Sequence, residues 1–263
     1  MKKQQTHQQP HVTLVGAGPG DPELLTLKAV KAIAAATVLL VDDLVSDAIV
    51  AYASPSTRII YVGKRGGCKS TPQAFIEKLM LQEALAGENV VRLKGGDPFI
   101  FGRGGEEVEH LQQQGVNVTV INGITAGLAG VTSLGVPLTH RAHAHGVLFI
   151  TGHAKQGATD AVDWAALSHT AAQAKLTLVI YMGMSGAAQL QDSLLDGLSP
   201  HTPVAVIQHV SLSTQRHVVC TLSELHNTVV RDQMASPSVI VVGDVLQGLL
   251  HLEQSNQRLV AAA

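Results

Sequence analysis

The chain has 263 residues, of which 46% are apolar and 14% are charged, and its formal net charge is -2. This composition supplies a packed core and is unlike that of a disordered chain. A slightly acidic balance is not typical of proteins that bind nucleic acid or a membrane surface, and no apolar run approaches the roughly 20 residues needed to span a bilayer. We therefore expect a globular protein that binds neither nucleic acid nor a membrane.

The ends of the chain and its cysteines indicate a cytoplasmic protein. Residues 1–11 carry lysines but no hydrophobic stretch behind them, so they are unlike a secretory signal. We predict disordered tails at 1–11 and 251–263. Cys68 and Cys220 lie far apart and outside any C-x-x-C pattern, which indicates reduced thiols.

In the first half of the chain, short β-branched runs alternate with helical stretches. The predicted strands are 12–15, 38–41, 58–62, 90–93 and 118–121. Asp21 followed by Pro22 is typical of a helix start. Thr71 and Pro72 open a further helix, which Gly87 ends. The Gly-rich segment GITAGLAGVTSLG that follows is also compatible with a helix.

A second series of strands follows, and its predicted members are 147–151, 176–182, 203–210, 216–222 and 238–243. Its helical stretches lie around 186–196 and 223–231. Strands that alternate with helices predict an α/β fold. Pro, Gly and clustered His interrupt the pattern at 136–146, so we predict two α/β domains, 12–135 and 147–250, joined by that linker. Because domain junctions often bind ligands, we expect the active site in the interdomain cleft.

The stretch LVGAGPGDP at positions 14–22 places Gly16, Gly18 and Gly20 between a strand and a helix. Bare backbone in such a loop can approach a ligand closely. The spacing G-x-G-x-G differs from the dinucleotide fingerprint G-x-G-x-x-G, and Pro19 has no N–H for a phosphate. These residues alone leave a ligand-binding loop and a ligand-free tight turn equally open.

A second glycine-rich stretch, VVRLKGGDPFIFGRGGEE at 90–107, also follows a strand. Long glycine-rich loops after strands usually carry function. A mobile surface loop explains Phe99, Ile100 and Phe101 poorly, because such side chains avoid water unless something covers them. This stretch therefore favours a ligand site.

A set of motifs runs through the chain in this order: LVGAGPGDPELLTLKA, VDDLVS, VGKRGG, RLKGGDPFIFGRGGEE, GITAG, GVPLTHR, TGH and VIYMG. Together they resemble the tetrapyrrole methylase family over about residues 12–250, and within it the enzymes that methylate uroporphyrinogen III. The resemblance implies two α/β domains of the tetrapyrrole methylase type, with the cofactor folded into the cleft between them, usually in a homodimer.

The activity that the resemblance implies is S-adenosylmethionine-dependent C-methylation of uroporphyrinogen III on pyrrole rings A and B. The product is precorrin-2, which leads to siroheme or cobalamin. Methyl transfer from a sulfonium is an in-line displacement that needs positioning and proton transfer but no metal. The alternatives are a family member acting on a later corrin precursor or a modified histidine, a dinucleotide-dependent oxidoreductase, and a non-catalytic binding module.

Site residues follow from the resemblance position by position. Asp42 falls at the family's proposed proton acceptor and Lys64 at its proposed proton donor. The cofactor positions are Pro19, Gly95, Gly96, Asp97, Ile100, Thr125, Ala126 and Met182. Basic residues suit a substrate with several carboxylates, and the substrate-binding positions are Arg65, Arg103, His140 and Arg141, within a wider basic set that includes Arg92, Lys94 and Lys155. Asp43 and Ala142 depart from the residues common in the family.

A histidine cluster near the predicted linker invites a metal interpretation. His140, His143 and His145 are spaced H-x-x-H-x-H. Structural zinc usually takes cysteines or a compact helical pair of ligands. We therefore expect these side chains to bind carboxylates or to lie exposed, and we expect no metal.

Overall fold

The computed structural model describes residues 9–63, 71–152 and 162–261, with side chains up to residue 255. Within them the chain divides into two compact units, of which the first ends at Thr125 and the second begins at Ala126. No helix in these ranges is long and apolar enough to cross a bilayer.

The first unit is a parallel sheet covered by helices. Its strands are β1 (His11–Gly16), β2 (Val38–Val41), β3 (Arg58–Tyr61), β4 (Val90–Lys94) and β5 (Asn117–Ile121). Its helices are α1 (Leu27–Ala35), α2 (Asp47–Val50), α3 (Gln73–Leu85) and α4 (Gly104–Gln113). The strand order is β3-β2-β4-β1-β5, and every predicted strand of this series is confirmed. The connection from β1 to β2 and the connection from β4 to β5 run in opposite directions across the sheet. In open α/β sheets, ligands bind outside the carboxyl ends of the strands where the connections reverse in this way.

Strand β4 separates two apolar cores because successive side chains point to opposite faces of the sheet. Val91 and Leu93 pack with Ile33 of α1 on one face. Val90 packs with Met80 of α3 on the other face. The parallel sheet is therefore covered on both faces.

The second unit contains a mixed sheet. Its strands are β6 (Gly146–Thr151), β7 (Leu176–Tyr181), β8 (Pro203–Gln208), β9 (Arg216–Thr221) and β10 (Ser238–Val242). Its helices are α5 (Ala126–Ser133), α6 (Trp164–Ala174), α7 (Ala187–Leu195), α8 (Leu225–Arg231) and α9 (Gln247–Ala261). The order is β6-β7-β10-β8-β9, in which β6 and β7 are parallel and the other pairs are antiparallel. The predicted strands of this series are confirmed.

The boundary between the units falls earlier in the chain than the linker predicted at 136–146. Helix α5 belongs to the second unit, because Val131 packs with Val179 of β7 and Val241 of β10. Val136 and Leu138 pack against the same core, so the segment after α5 is also part of the second unit. A Gly-rich helix has little amphipathic pattern, which is why the sequence did not show where α5 packs.

The predicted tails also need correction. At the amino end, residues 1–8 lie outside the described residues, whereas His11 already pairs with Asn117 of β5. At the carboxyl end, the chain is helical through Ala261 rather than a tail from 251. Leu250 is buried and anchors the first turns of α9, and each further helical residue then adds a backbone hydrogen bond.

Cys220 lies buried in the core of the second unit and makes the stability of the folded state sensitive to alkaline pH. Burial raises the pKa of the Cys220 thiol from 9.0 to about 11, against a smaller opposite effect of its hydrogen bond with Thr228. The folded state therefore holds this proton where the unfolded chain has lost it, so stability falls as pH rises from about 9 to 11. Over this pH range, we expect the free energy of unfolding of Cys220→Ala to fall by about 2 kcal/mol less than that of wild type. Urea unfolding at a series of pH values measures the difference, and parallel pH dependences would contradict it.

Candidate functional site

Backbone hydrogen bonds join the loops that follow β1 and β4. Gly18 and Gly96 form an isolated antiparallel bridge, with the Gly96 N–H donating to the Gly18 oxygen at 2.7 Å and the Gly18 N–H donating to the Gly96 oxygen at 3.1 Å. The Ala17 N–H donates to the Lys94 oxygen at 2.8 Å. Gly18 and Gly96 both have positive φ, 70° and 64°, which glycine adopts without strain. The first glycine motif therefore forms one structure with the second.

The loop after β5 packs against the same junction without room for side chains. A Cβ atom on Gly16 would lie 2.6 Å from the Gly123 Cα and 2.7 Å from the Gly96 oxygen. A Cβ atom on Gly123 would overlap that same Gly96 oxygen. Gly95 is similarly close to Leu44, whose Cβ would lie 2.8 Å from an added methyl. Gly16 and Gly123 are needed because backbone meets backbone here, and Gly95 because the Leu44 side chain lies against it. The N–H groups of Gly18 and Gly96 are already used within the protein.

Asp97 stabilises this junction through hydrogen bonds to both of its carboxylate oxygens. Its Oδ1 accepts from the Phe99 N–H at 2.8 Å, and its Oδ2 accepts from Asn122 Nδ2 and the Gly123 N–H, each at 3.1 Å. The side chain is buried. These contacts hold the loop after β4 to the loop after β5, a structural role beyond the cofactor contact predicted from the sequence.

Beside the junction, several large apolar side chains are exposed within the first unit. They are Leu44, Phe99, Ile100 and Phe101. The aromatic pair and Ile100 are expected from the sequence to be covered, whereas in the structure between 37% and 53% of each residue's surface is exposed. Such side chains next to bare backbone suit a ligand that is part apolar ring and part polar.

A buried ion cluster lies at the same edge of the sheet. Arg92 and Lys94 of β4 point to the face that α3 and α4 cover, and both are almost fully buried. Glu107 of α4 has no exposed surface and lies between them: its Oε1 accepts from Arg92 Nε and Lys94 Nζ, each at 3.2 Å. The Gln73 amide donates to the same oxygen at 3.2 Å. Asp42 extends the cluster outward, with Oδ1 3.7 Å from Arg92 Nη2.

Lys94 is electrostatically perturbed by this position. Burial lowers its pKa from the ordinary value, and the neighbouring Arg92 lowers it further. The carboxylates of Glu107 and Asp42 act in the opposite direction and only partly offset these effects. Perturbed titratable groups next to a cavity are typical of functional sites.

The cluster opens into a cavity of about 310 Å³ within the first unit. Residues of both charges and several apolar groups line it: Asp42, Asp43, Val62, Gly63, Thr71, Gln73, Ile76, Arg92, Lys94, Phe101, Gly102 and Arg103. The Asp42 side chain is one-third exposed, so part of its carboxylate faces the cavity while Arg92 holds the other part. Arg103 stands at the start of α4 and pairs with Glu106 through Nε at 2.9 Å.

Other predicted residues of the cofactor and substrate sets lie in the second unit or at the end of the first. Thr125 ends the first unit and is buried. In the second unit the Gly127 N–H donates to the Tyr181 hydroxyl at 2.7 Å, which brings Ala126, at the start of α5, to the end of β7. Met182 follows there with a φ of 54° and half of its surface exposed, so it is not an ordinary core residue.

The histidine cluster is exposed, as expected. His140 stacks on His143 with ring centroids 4.6 Å apart, and the Ala142 N–H donates to His140 Nδ1 at 3.1 Å. Arg141 between them is also exposed. Among residues 9–63, 71–152 and 162–261, no three His, Cys, Asp or Glu side chains are placed to hold a metal ion.

The structure thus brings Asp42, Arg103 and the loop 95–100 together at one edge of the first unit. Lys64, Arg65 and Lys155 lie outside the described residues, although Gly63 and Thr71 on either side of the first two line the cavity. Sequence reasoning missed Glu107. The available signal was the run VVRLK, because two cations on a buried strand require a buried counter-charge.

Comparison with known proteins gives concordant matches. The family model described as Tetrapyrrole (Corrin/Porphyrin) Methylases matches residues 11–226. The chain is 49% identical over 240 residues to uroporphyrinogen-III C-methyltransferase of Pseudomonas aeruginosa, covering 91% of this chain and 95% of that protein. It is 47% identical over 236 residues to siroheme synthase 1 of Aeromonas hydrophila, covering 89% of this chain and 50% of that protein.

A solved structure is similar in both fold and sequence. Uroporphyrin-III C-methyl transferase from Thermus thermophilus, complexed with S-adenyl homocysteine, matches with a TM-score of 0.76 and 39% identity. The match covers 90% of this chain and 99% of that chain.

Proposed function

Because this chain belongs to the tetrapyrrole methylase family, we propose that it methylates uroporphyrinogen III on pyrrole rings A and B with S-adenosylmethionine as methyl donor. The product is precorrin-2, for siroheme or cobalamin biosynthesis. One observation carries the proposal: a backbone-packed glycine junction lies at the same sheet edge as a cavity lined by two acids and three cations. That combination suits a cofactor without phosphates and a substrate rich in carboxylates.

The glycine junction favours an adenosyl cofactor over a dinucleotide. A dinucleotide loop offers backbone N–H groups to a pyrophosphate. Here the N–H groups of Gly18 and Gly96 bond across the junction, and Pro19 has none to offer. What remains is close backbone approach and apolar surface at Ile100, which fit a nucleoside. The bound cofactor supplies an electrophilic methyl group on a sulfonium.

Two groups of residues are proposed to hold that cofactor. In the first unit these are Pro19, Gly95, Gly96, Asp97, Ile100 and Thr125; in the second they are Ala126 and Met182. The bond from Gly127 to Tyr181 supports the second group, since it places its members at one edge of that unit. That the two groups face one ligand in the interdomain cleft stays a prediction.

The proton chemistry is assigned to Asp42 and Lys64. Asp42 lies at the carboxyl end of β2, and its N–H donates to the Leu93 oxygen at 3.0 Å, which fixes its backbone beside β4. With its carboxylate partly open to the cavity, Asp42 is suited to accept the proton that the methylated pyrrole must lose. Lys64, next to Gly63 in the chain, is proposed as donor.

Carboxylates of the substrate are proposed to bind Arg65, Arg103, His140 and Arg141. Arg103 supports this assignment because it lines the cavity and is half exposed. Arginine binds carboxylates in a bidentate manner, which also orients the macrocycle. We further propose a cytoplasmic homodimer without nucleic-acid or membrane partners.

Binding measurements test the cofactor class directly. Titration calorimetry is expected to show saturable binding of S-adenosylhomocysteine to the protein and no binding of NAD⁺ under the same conditions. Binding of NAD⁺ in the absence of S-adenosylhomocysteine binding would overturn the proposed function in favour of a dinucleotide-dependent oxidoreductase.

A further inference from the structure

The buried ion cluster contains an unusual arrangement of charge. Arg92 and Lys94 are two residues apart on β4 and therefore lie on the same face of the sheet. They are 2% and 3% exposed, so water screens neither charge effectively. Glu107, with no exposed surface, contacts both cations: Lys94 Nζ is 3.1 Å from its Oε2 and 3.2 Å from its Oε1. Burying such a cation pair is costly unless a buried carboxylate accompanies it.

Arg92 is held by its contacts in one orientation. Its Nε donates to Glu107 Oε1 at 3.2 Å, and its Nη1 donates to the Leu93 oxygen at 3.3 Å. With these two groups engaged, Nη2 is left directed at Asp42 Oδ1, 3.7 Å away. The guanidinium is planar and rigid, so fixing its Nε fixes the direction of Nη2. Glu107 thereby controls how closely Arg92 approaches the proposed proton acceptor.

We propose that Glu107 is a positioning residue for the methylation reaction, which keeps Arg92 at a distance from Asp42 that leaves the Asp42 carboxylate open to the cavity and keeps Lys94 at the cavity wall. This inference rests on the proposed function, because it assigns a role within that reaction. Without the Glu107 charge, Arg92 turns towards Asp42, the other carboxylate with which it pairs. A closer pair occupies the acceptor oxygens, and turnover falls.

Lys94 gives the inference a second, independent readout. Glu107 and Asp42 raise the pKa of Lys94, whereas burial and Arg92 lower it by more. Other charged groups of the described chain around this cluster are Asp43, which lines the cavity, the Arg103–Glu106 pair at the start of α4, and Glu77 of α3, which pairs with His110 of α4. Helix α3 also contributes the uncharged amide of Gln73. Removing the Glu107 charge therefore lowers the pKa of Lys94 further, and the cavity loses a cation at lower pH.

The test compares three variants with wild type in methylation assays over a range of pH. Glu107→Gln keeps the size of the side chain and removes its charge. Glu107→Asp keeps the charge on a shorter side chain, farther from Arg92 and Lys94. Glu109→Gln is the matched control, because Glu109 is exposed on the same helix. We expect Glu107→Gln to lower kcat by at least roughly tenfold and to move the alkaline limb of kcat/KM for uroporphyrinogen III to lower pH. S-adenosylhomocysteine affinity stays within about twofold of wild type, since removal of one charge leaves the glycine junction unchanged.

The remaining variants have distinct expected results. Glu107→Asp lowers kcat while leaving the alkaline limb near its wild-type position, and Glu109→Gln behaves as wild type. A folded Glu107→Gln protein with the wild-type pH profile would overturn the inference, as would loss of turnover and of S-adenosylhomocysteine binding together without a pH shift. If Glu107→Gln does not fold, a Glu107→Asp protein with wild-type kcat overturns it equally. Absence of turnover in wild type would instead defeat the proposed function.

Discussion

Replacing Asp42 with asparagine is expected to lower the rate of methylation by roughly 10²- to 10⁴-fold, the usual contribution of a positioned general base. Asparagine has nearly the same shape but cannot take up the proton that the methylated pyrrole loses. The Asp42 side chain is one-third exposed and 3.7 Å from Arg92, so loss of its charge should cost no more than about 1 kcal/mol of stability. Initial rates and S-adenosylhomocysteine binding, measured on the same preparation, separate loss of chemistry from loss of fold.

Asp43 provides the comparison for that experiment. It is adjacent in the chain, more exposed, and lines the same cavity, but no ion pair of the described residues fixes its carboxylate against β4. Asp43→Asn is therefore expected to lose far less activity than Asp42→Asn. If Asp43→Asn were the inactive variant and Asp42→Asn retained normal turnover, the assignment of the proton acceptor would move to Asp43.

Gly16→Ala is expected to disrupt the glycine junction. The new methyl would lie 2.6 Å from the Gly123 Cα and 2.7 Å from the Gly96 oxygen, and these backbone atoms have no rotamer with which to move aside. The loops after β1, β4 and β5 must separate, at a cost of about 1–3 kcal/mol of stability. A displacement of about 1 Å at a reacting site costs on the order of 10²-fold in rate, so turnover should fall by about that factor. Urea unfolding and initial rates measure the two effects.

Gly105→Ala is the matched control for the glycine experiment. Gly105 lies in α4 of the same unit, and a Cβ atom there would meet nothing within 4 Å. Alanine favours a helix over glycine by up to about 1 kcal/mol, so this variant should be as stable as wild type or more so. Equal stability of the Gly16→Ala and wild-type proteins would show that the junction tolerates a side chain.

The strands could be predicted because each contains a short apolar run, and most of these runs end at glycine or a polar residue. Runs such as VLLV and SVIVV are buried on both faces, and this pattern is largely local. The division of the chain was harder to predict. Ala126–Ser133 is rich in glycine and small residues, so its packing on β7 and β10 depends on shape complementarity that no periodicity reveals. The part of helix α9 after residue 250 was not predicted because polar residues follow the buried start of the helix.

At the site, the glycine spacing correctly placed bare backbone at the ends of β1 and β4, and the family resemblance supplied Asp42 and Asp97. The resemblance could not supply the contacts of these residues. Asp97 bonds to Asn122 and Gly123, which lie across the sheet edge on the loop after β5. Glu107 reaches β4 only because α4 folds back over it. Such pairings join distant segments of the chain and depend on strand order.

The measurement that tests the central claim most directly is the mass of the product formed from uroporphyrinogen III. The protein is incubated with S-adenosylmethionine and enzymatically generated uroporphyrinogen III under reducing conditions, and the tetrapyrrole is analysed by mass spectrometry. Methylation on rings A and B predicts a product heavier by two CH2 units, because each methyl group replaces a proton, and this product is absent when S-adenosylmethionine is omitted. A substrate that gains no methyl group, while a known methylase converts the same preparation, would contradict the claim.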